Sequence, residues 1–356
     1  MQAFVHSWSQ PRVVFGRGNL ALVAQEVGRL GATRAVVVST PAQTDAAEDI
    51  AARLGSSAAA VFADAAMHTP LDVTEQAIAL VEQCGADSVV AVGGGSATGL
   101  AKAIASRTNL PQVIIPTTYA GSEVTPILGE TADGIKQTRR GESILPDTVI
   151  YDPDLTSTLP SSLAVTSGLN AMAHAAEGLY AHDSSPVHRM VALEGLRALR
   201  DALRRMVCDP DDSDARDEAL FGAWLCGAVL GGVSMSIHHK LCHTLGGALD
   251  LPHADTHAIL LPHTITFVEQ YDPAAVAAAS VLFGDEVGAG IYDFARDIGA
   301  PLSIADLGVR ATDIDDLAEL ATREPYPCPR PLERDAIADL LTRALTGERP
   351  RLTKET

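Results

Sequence analysis

Aromatic residues and lysines are both scarce in this chain of 356 residues. Phenylalanine, tyrosine and tryptophan together make up 4% of it, whereas hydrophobic residues make up 47%. We therefore expect an aliphatic core, and the length is sufficient for two domains. The formal net charge of −19 argues against nucleic acid or a membrane surface as a partner. Three of the four lysines, Lys102, Lys136 and Lys240, lie within or beside the motifs below, either by chance or to bind anions.

The sequence also lacks a disulfide framework, a leader segment and a membrane span. The five cysteines are scattered and form no C-x-x-C motif, which is typical of reduced thiols in a cytosolic protein. The N-terminus has neither a basic region nor an apolar run, so we expect no signal peptide. No stretch of eighteen uninterrupted apolar residues occurs. These features predict a cytoplasmic protein.

Two kinds of hydrophobic pattern divide the chain. Short apolar runs alternate with helical patterns in the first part, and the predicted strands are 35–38, 88–92, 112–115 and 149–151. This order predicts a Rossmann-like α/β domain with a parallel sheet over residues 1–155. An all-α domain is predicted over residues 156–356. Its predicted helices are 161–181, 187–206, 217–233 and 236–249, with weaker candidates at 262–276 and 332–345.

A glycine-rich loop follows the second predicted strand. Gly93, Gly94, Gly95 and Ser96 lie between this strand and a helical pattern at 97–104. Glycine lets the backbone approach a phosphate closely, and a helix N-terminus supplies free N–H groups. The loop is not G-x-G-x-x-G, and a tight strand-to-helix turn is the alternative. Ligands of parallel sheets bind at the carboxyl ends of the strands. Further candidates therefore follow the next strand, at Thr117, Thr118, Gly121 and Ser122.

The end of the first predicted strand bears on the choice of cofactor. An acid there commonly binds the ribose hydroxyls of NAD. Val38 is instead followed by Ser39 and Thr40, and no carboxylate repels a 2′-phosphate. We expect Ser39 to contact the cofactor, with weak discrimination between NADH and NADPH.

Six of the eleven histidines fall between His238 and His263. His239 and His243 share one helix face, as do Asn170 and His174, because each pair is four residues apart. His253 follows a proline. The set of His174, His239, His243 and His253 indicates a site, whereas His257 and His263 are interpreted as half-buried histidines with satisfied nitrogens. Three histidines and the Asn170 oxygen suit zinc or another divalent ion, although a neutral amide binds a cation less well than aspartate does.

These motifs resemble the iron-containing (group III) alcohol dehydrogenase superfamily over nearly the whole chain, and most closely its maleylacetate reductase branch. The supporting segments, in order, are the 93–96 loop, Pro-Thr-Thr-Tyr-Ala-Gly-Ser-Glu at 116–123, the Lys136 region, Tyr-Asp-Pro at 151–153, Gly-Leu-Asn-Ala-Met-Ala-His at 168–174, His-His-Lys-Leu-Cys-His-Thr-Leu-Gly at 238–246 and Pro-Tyr-Pro-Cys-Pro-Arg-Pro at 325–331.

The resemblance implies a homodimer with an active site in the cleft between the two domains. It adds Tyr119 and Lys136 to the cofactor contacts. Metal ligands in such relatives correspond to Asn170, His174, His239 and His253, and His243 would lie near the nicotinamide. Two departures stand out: Asn170 replaces an aspartate, and Gly99 replaces an acid that many relatives carry. We expect no bound iron or zinc.

The resemblance also implies a reaction, the reduction of the C=C bond of maleylacetate by NADH or NADPH to give 3-oxoadipate. Our hypothesis is that His174, His239 and His253, with Lys240, replace a metal at the ketone oxygen, while His243 donates or orients the proton. The carboxylates of this small dicarboxylate need cations and donors. The candidates are Lys240, Arg323, Tyr326 and Arg330.

Three other functions fit parts of the sequence. A metal-dependent alcohol or polyol dehydrogenase predicts a bound metal and oxidation of simple alcohols by NAD. A cyclising synthase like dehydroquinate synthase needs a carboxylate metal ligand and a basic phosphate site, which we do not find in the sequence. A nucleotide sensor without turnover would retain the fold alone.

Overall fold

The computed structural model describes residues 4–132 and 135–352, apart from the side chains of residues 132, 135 and 136. The described residues form two compact units. One comprises Ser9–Leu159, and the other comprises residues 160–352 together with residues 4–8. The division therefore falls four residues after the predicted boundary at 155.

The Ser9–Leu159 unit is built on a six-stranded parallel sheet with the order β1-β8-β5-β4-β2-β3. Val, Ile and Ala residues occupy the buried positions of the central strands, as expected where helices cover both faces. The strands are β1 (Arg12–Phe15), β2 (Ala35–Val38), β3 (Ala58–Phe62), β4 (Ser88–Gly93), β5 (Gln112–Pro116) and β8 (Thr148–Tyr151). The helices are α1 (Val23–Arg29), α2 (Thr44–Leu54), α3 (Leu71–Cys84) and α4 (Gly95–Thr108). The predicted parallel α/β domain is confirmed.

An antiparallel pair of strands, separate from this sheet, occurs between β5 and β8 in the sequence. It consists of β6 (Ile127–Ala132) and β7 (Ile135–Arg140). Our sequence analysis did not predict it.

The other unit is helical throughout its described residues, which confirms the predicted class. Its long helices are α5 (Ser161–Tyr180), α6 (Pro186–Cys208), α7 (Ser213–Gly232), α8 (Ile237–Leu249) and α9 (His253–Tyr271). They are followed by α10 (Pro273–Val276), α11 (Ser280–Phe283), α12 (Val287–Asp297), α13 (Ile314–Thr322) and α14 (Arg334–Thr346). Helix α5 is buried along nearly its whole length and packs against α6, α7 and α9, so it forms the centre of the unit.

The start of α9 differs from the prediction. The hydrophobic pattern gave a weaker helical candidate at 262–276. Pro262 instead lies inside α9, which begins at His253. Proline in a helix interior removes one hydrogen bond. Packing of α9 against α5, α8 and α12 compensates for that loss here.

One segment of the described chain, Pro273–Asp297, is long and apolar enough by composition to cross a membrane. Gly284, Asp285 and Glu286 separate α11 from α12 within it. A single stretch of this kind is weak evidence, because the core helix of a soluble protein passes the same test. The five cysteines, all within the described residues, form no disulfide with one another.

Candidate active site

The glycine loop joins β4 to α4 at the carboxyl edge of the parallel sheet. Gly93 ends the strand with φ +147°, and Gly94 precedes the first turn of the helix. A Cβ on Gly94 would lie 2.9 Å from Thr118 Cγ2, and one on Gly93 would lie 2.6 Å from Gln43 Oε1. A Cβ on Gly95 would have no described atom within 4 Å beyond its own chain neighbours. The first two glycines are therefore required by packing, and the third leaves the helix N-terminus open to a ligand.

The segment after β5 lies beside this loop, as predicted. The Thr117 amide donates to the Gly93 carbonyl at 3.0 Å, and Gln43 donates to the Thr117 hydroxyl at 2.7 Å. Tyr119 is fully buried, whereas Thr118 and Ser122 are partly exposed. Ser96, in the first turn of α4, is also partly exposed. Hydroxyl and amide groups thus meet at one edge of the sheet.

Ser39 lies at the end of β2 but is buried. Its hydroxyl donates to the Thr40 carbonyl at 3.1 Å, and its backbone bridges Phe62 and Ala65. In this arrangement Ser39 shapes the strand end rather than offering a free hydroxyl to a ligand.

The structure shows the side chain of Lys102 but not that of Lys136. Lys102 is buried, and its Nζ donates to Ser122 O, Thr125 O and Ile127 O at 2.5–3.0 Å, so it holds a turn together instead of receiving an external anion. Burial lowers the pKa of Lys102 to about 7. The side chain of Lys136, predicted to contact the cofactor, lies outside the described part of the molecule.

The predicted histidines converge within the helical unit. His174 comes from α5, His239 and His243 from α8, and His253 from α9. The His174 and His239 rings stack with centroids 5.3 Å apart, and the His243 and His253 rings are 6.4 Å apart. His257, one turn after His253, is the common neighbour. Its ring centroid lies 5.1 Å from that of His239 and 4.2 Å from that of His253.

His257 was therefore misjudged from the sequence. It is fully buried rather than half-buried, and among the described residues only its Nδ1 has a partner, the Nε2 of His238 at 2.9 Å. Its four-residue spacing from His253, the same as that between His239 and His243, was the signal that could have placed it in the set.

The sequence analysis also missed Glu177, which holds the ring of His239 in place. Its buried carboxylate accepts hydrogen bonds from the Ser236 amide at 3.0 Å, the His239 amide at 3.2 Å and His239 Nδ1 at 2.6 Å. Because a carboxylate only accepts, Nδ1 carries the proton. Nε2 of His239 is buried without a hydrogen-bond partner among the described residues. Glu177 follows His174 by three residues, on the same face of α5.

Burial disfavours the charged form of three of these histidines. Burial, reinforced by the neighbouring histidines, holds the pKa values of His174, His238 and His257 well below the ordinary value of 6.5. This direction favours the neutral form of His174, so we expect this ring to act as a neutral hydrogen-bonding group.

His243, Lys240 and Tyr326 form the more exposed side of the cluster. His243 Nδ1 lies 3.3 Å from the Tyr326 hydroxyl, and Lys240 Nζ lies 5.5 Å from the centre of the Tyr326 ring. Lys240 also donates to the Arg323 carbonyl at 2.7 Å. Burial raises the pKa of Tyr326, so its hydroxyl remains a donor. The sequence correctly placed these side chains together.

Arg330 is not placed with the histidines. Its guanidinium lies 4.1 Å from the centre of the Phe267 ring and donates to the Phe267 carbonyl at 3.2 Å. Phe267 is ten residues beyond His257 on α9, about 15 Å along the axis. The guanidinium of Arg323 is largely exposed and pairs with Glu319 at 3.7 Å, so neither arginine is shown at the cluster.

The donor set of Asn170, His174, His239 and His253 does not fit a tightly bound divalent ion. It contains no anionic ligand, and these three histidines do not bring their ligand atoms within 4.8 Å of one another. Among the described residues, the group that meets this distance is His238, Cys242 and His257. Its two imidazoles are joined by a hydrogen bond of 2.9 Å, which accounts for their proximity.

Comparison with known proteins places the chain in a family. The model for iron-containing alcohol dehydrogenases matches residues 10–153, and the C-terminal model of the same family matches residues 164–345. A maleylacetate reductase of Rhizobium sp. strain MTP-10005 is 59% identical, over 98% of this chain and all of that protein. This chain belongs to the maleylacetate reductases of the iron-containing alcohol dehydrogenase family.

Solved structures agree with this assignment. The crystal structure of maleylacetate reductase from Agrobacterium tumefaciens has a TM-score of 0.95 and 59% identity, covering 98% of this chain and all of that one. A 1,3-propanediol oxidoreductase has a TM-score of 0.89 at 25% identity, covering 96% of this chain and all of that one. The fold therefore extends well beyond the maleylacetate reductases.

One departure from the family pattern has a packing explanation. A Cβ on Gly99, in α4, would meet the Thr69 hydroxyl at a severe 2.3 Å. Thr69 is buried and has a positive φ of 48°, so it has little freedom to withdraw. Within this maleylacetate reductase, no residue with a side chain fits at position 99 unless Thr69 moves.

Proposed function

We propose that this chain catalyses the NAD(P)H-dependent reduction of the C=C bond of maleylacetate, or of a substituted maleylacetate, to 3-oxoadipate or its analogue. The observation that carries the proposal is the 59% identity to a maleylacetate reductase over essentially the full length of both chains. The buried histidine cluster supplies groups suited to this chemistry.

The reaction requires one hydride and one proton. Hydride from the nicotinamide adds to the alkene carbon β to the ketone, and the electrons of the C=C bond move to the ketone oxygen as an enolate. A proton then adds to the neighbouring carbon and restores the ketone. The protein must therefore stabilise a negative oxygen and deliver a proton.

We propose that His239 and His253 stabilise the ketone oxygen as it becomes negative, with His174 as a neutral neighbour. Glu177 holds the Nδ1–H of His239, which leaves Nε2 for the substrate. An imidazolium at His239 donates from Nε2, and the Glu177 carboxylate balances its charge. His243 is the proposed proton donor, because it is partly exposed and is contacted by the Tyr326 hydroxyl.

The substrate is a small dicarboxylate, and we propose that Lys240 and Tyr326 bind one of its carboxylates. Both lie beside His243, and the Lys240 ammonium uses one of its three protons on Arg323 O. Arg330 is not retained, since its contacts are with Phe267.

We propose NADH or NADPH as the hydride donor, bound at the loop of Gly94, Gly95 and Ser96 with Thr117 and Thr118. Ser39 follows β2 at the position where an acid would repel the 2′-phosphate of NADPH, so we expect both cofactors to be used. We propose that no metal takes part, because Asn170 supplies no charge. We also propose a cytoplasmic homodimer, which size-exclusion chromatography with light scattering tests.

The decisive experiment follows nucleotide absorbance at 340 nm with purified protein. We expect consumption of NADH or NADPH with maleylacetate, formation of 3-oxoadipate, and little oxidation of small alcohols with NAD⁺. Oxidation of alcohols with no turnover of maleylacetate would instead support the metal-dependent alcohol dehydrogenase function. His243→Ala is expected to lower kcat about 10²–10⁴-fold. His182→Ala, the same change at an exposed histidine, is the control.

A further inference from the structure

A buried lysine connects the two segments of the Ser9–Leu159 unit that we assign to the nucleotide. Lys102 lies on α4, two helical turns after Gly95 at the helix N-terminus, or about 10 Å along the axis. Its Nζ reaches the turn that begins at Ser122, in the segment that continues from Thr118 after β5. The binding of the nucleotide described above gives Lys102 no role.

Four oxygen atoms surround the ammonium group of Lys102. Nζ donates to the carbonyls of Ser122, Thr125 and Ile127 at 2.5, 2.8 and 3.0 Å, and it lies 3.0 Å from the Thr125 hydroxyl. That hydroxyl donates its own proton to the Ser122 carbonyl at 2.9 Å, so its oxygen accepts from Lys102. An ammonium offers three protons to these four acceptors, whereas a neutral amine offers two. The four atoms therefore form an oxygen cage that suits a small cation.

A buried carboxylate balances the charge at the oxygen cage. Glu123 follows Ser122 in the chain and is buried, as is Lys102. Burial lowers the pKa of Lys102, and the negative charge of Glu123 opposes that shift. Tyr151, at the end of β8, donates to Glu123 Oε1 at 2.7 Å. The turn is thus held from α4 through Lys102 and from the sheet through Tyr151.

We propose that Lys102 is a positioning residue for the nicotinamide nucleotide, because its ammonium fixes the 118–122 segment against the N-terminus of α4. This inference rests on the proposed function. A nucleotide that contacts both the helix N-terminus and the hydroxyls after β5 binds most tightly when their separation is already set. Without the ammonium, the cage oxygens lose their shared donor, and the nucleotide must order the turn itself at a cost in affinity.

The proposal is tested by equilibrium binding without turnover, followed by the fluorescence of NADH. Lys102→Met keeps most of the side-chain volume and removes the ammonium, and it should raise the Kd for NADH about ten- to a hundredfold. Thr125→Val removes one of the four oxygens and should raise the Kd about two- to tenfold. The control is Thr74→Val, which removes a buried hydroxyl bonded to Pro70 at the start of α3 and should leave the Kd unchanged. Wild-type affinity in folded Lys102→Met overturns the proposal.

The oxygen cage is tested by chemical rescue. Lys102→Ala removes three methylene groups and the ammonium, which propylammonium matches atom for atom. Added propylammonium should restore most of the lost affinity for NADH, whereas 1-propanol, which has the same carbon chain without the charge, should not. A general loss of packing would not distinguish the two compounds. Absence of rescue by propylammonium, or equal rescue by 1-propanol, overturns the role of the ammonium.

Steady-state kinetics separates this inference from the proposed function. Thr125→Val, the milder change, also serves where a Lys102 variant does not fold. Its KM for the nucleotide should rise, while kcat at saturating nucleotide changes less than about twofold. An unchanged KM, or a loss of kcat as large as the rise in KM, overturns the positioning role. Wild-type protein that binds NADH without reducing maleylacetate overturns the proposed reaction, and the Kd values of the variants then still decide the role of Lys102.

Discussion

Replacing Glu177 by glutamine tests two roles of this carboxylate: it stabilises the start of α8, and it holds the ring of His239. The carboxylate accepts three hydrogen bonds, two from backbone amides at the start of α8 and one from His239 Nδ1. Glutamine is nearly isosteric but places an NH₂ group where one carboxylate oxygen was. Oε2 accepts from both the Ser236 amide and His239 Nδ1, whereas Oε1 accepts only from the His239 amide, so the glutamine oxygen best takes the Oε2 position and its NH₂ group faces the His239 amide. The bond to His239 Nδ1 is then kept, but the negative charge beside the ring is lost.

The expected magnitudes follow from these contacts. With the NH₂ group opposite the His239 amide, about one buried donor loses its acceptor, which costs about 1–3 kcal/mol of stability. In the reaction, a neutral amide oxygen replaces the carboxylate that balances an imidazolium, and the charge-assisted hydrogen bond that is lost is roughly twice as strong as a neutral one. Removal of a donor at a developing oxyanion commonly costs about 10²–10³ in rate. Glu177→Gln weakens such a donor without removing it, so we expect it to lower kcat about 10–10²-fold.

The measurements are urea unfolding followed by circular dichroism and steady-state kinetics with maleylacetate. The matched control is Glu269→Gln. Glu269 is a buried carboxylate that accepts the amides of Val287 and Gly288 at the start of α12, without a histidine partner among the described residues. The Glu269→Gln variant should lose stability, and its kcat should be nearly unchanged. A change in kcat of less than threefold for Glu177→Gln, or an equal loss in the control, refutes the reasoning.

Three further predictions concern the metal, the glycine loop and pH. Exhaustive chelation should leave maleylacetate reduction intact; full loss with recovery on adding zinc or iron(II) would contradict this. Gly94→Ala should raise the KM for the nucleotide at least about tenfold, because its Cβ meets Thr118 at 2.9 Å, whereas Gly28→Ala, whose Cβ meets no described atom within 4 Å, should not. Burial lowers the pKa of His263 to about 4, below its unfolded value near 6.5, so its contribution to stability is present above pH 6.5 and is lost as pH falls towards 4. The loss is about 3 kcal/mol over this window, and urea midpoints of His263→Leu should fall correspondingly less with acid than those of wild type.

The parallel sheet was largely predictable because its central strands are buried on both faces and appear as apolar runs. The two strands of this sheet that were not predicted, β1 and β3, are not apolar runs of this kind. β3 is rich in alanine, which has a low strand propensity, and β1 is a short edge strand that begins with an exposed arginine. The candidate helix at 262–276 began nine residues after the true start of α9 at His253, and a tertiary environment that tolerates Pro262 inside a helix leaves no local trace in the sequence.

Four members of the histidine set were predicted from the sequence, but His257 and the hydrogen bonds between the rings were not. Four-residue spacing identifies side chains on one helix face, as it did for His239 and His243. It cannot identify which helices pack together. The bond between Glu177 and His239 spans 62 positions, and that between His238 and Thr264 spans 26. Which nitrogen carries a proton depends on these distant partners, so the chemistry of each ring follows only from the packed structure.

The crowding of the imidazoles bears on how the enolate is stabilised. Each buried ring raises the cost of a charge on its neighbours, and burial itself opposes any positive charge. A group of five histidines is therefore not equivalent to a bound cation. The carboxylate of Glu177 beside His239, and the partial exposure of His243 and His253, distinguish these three rings from the fully buried His174, His238 and His257.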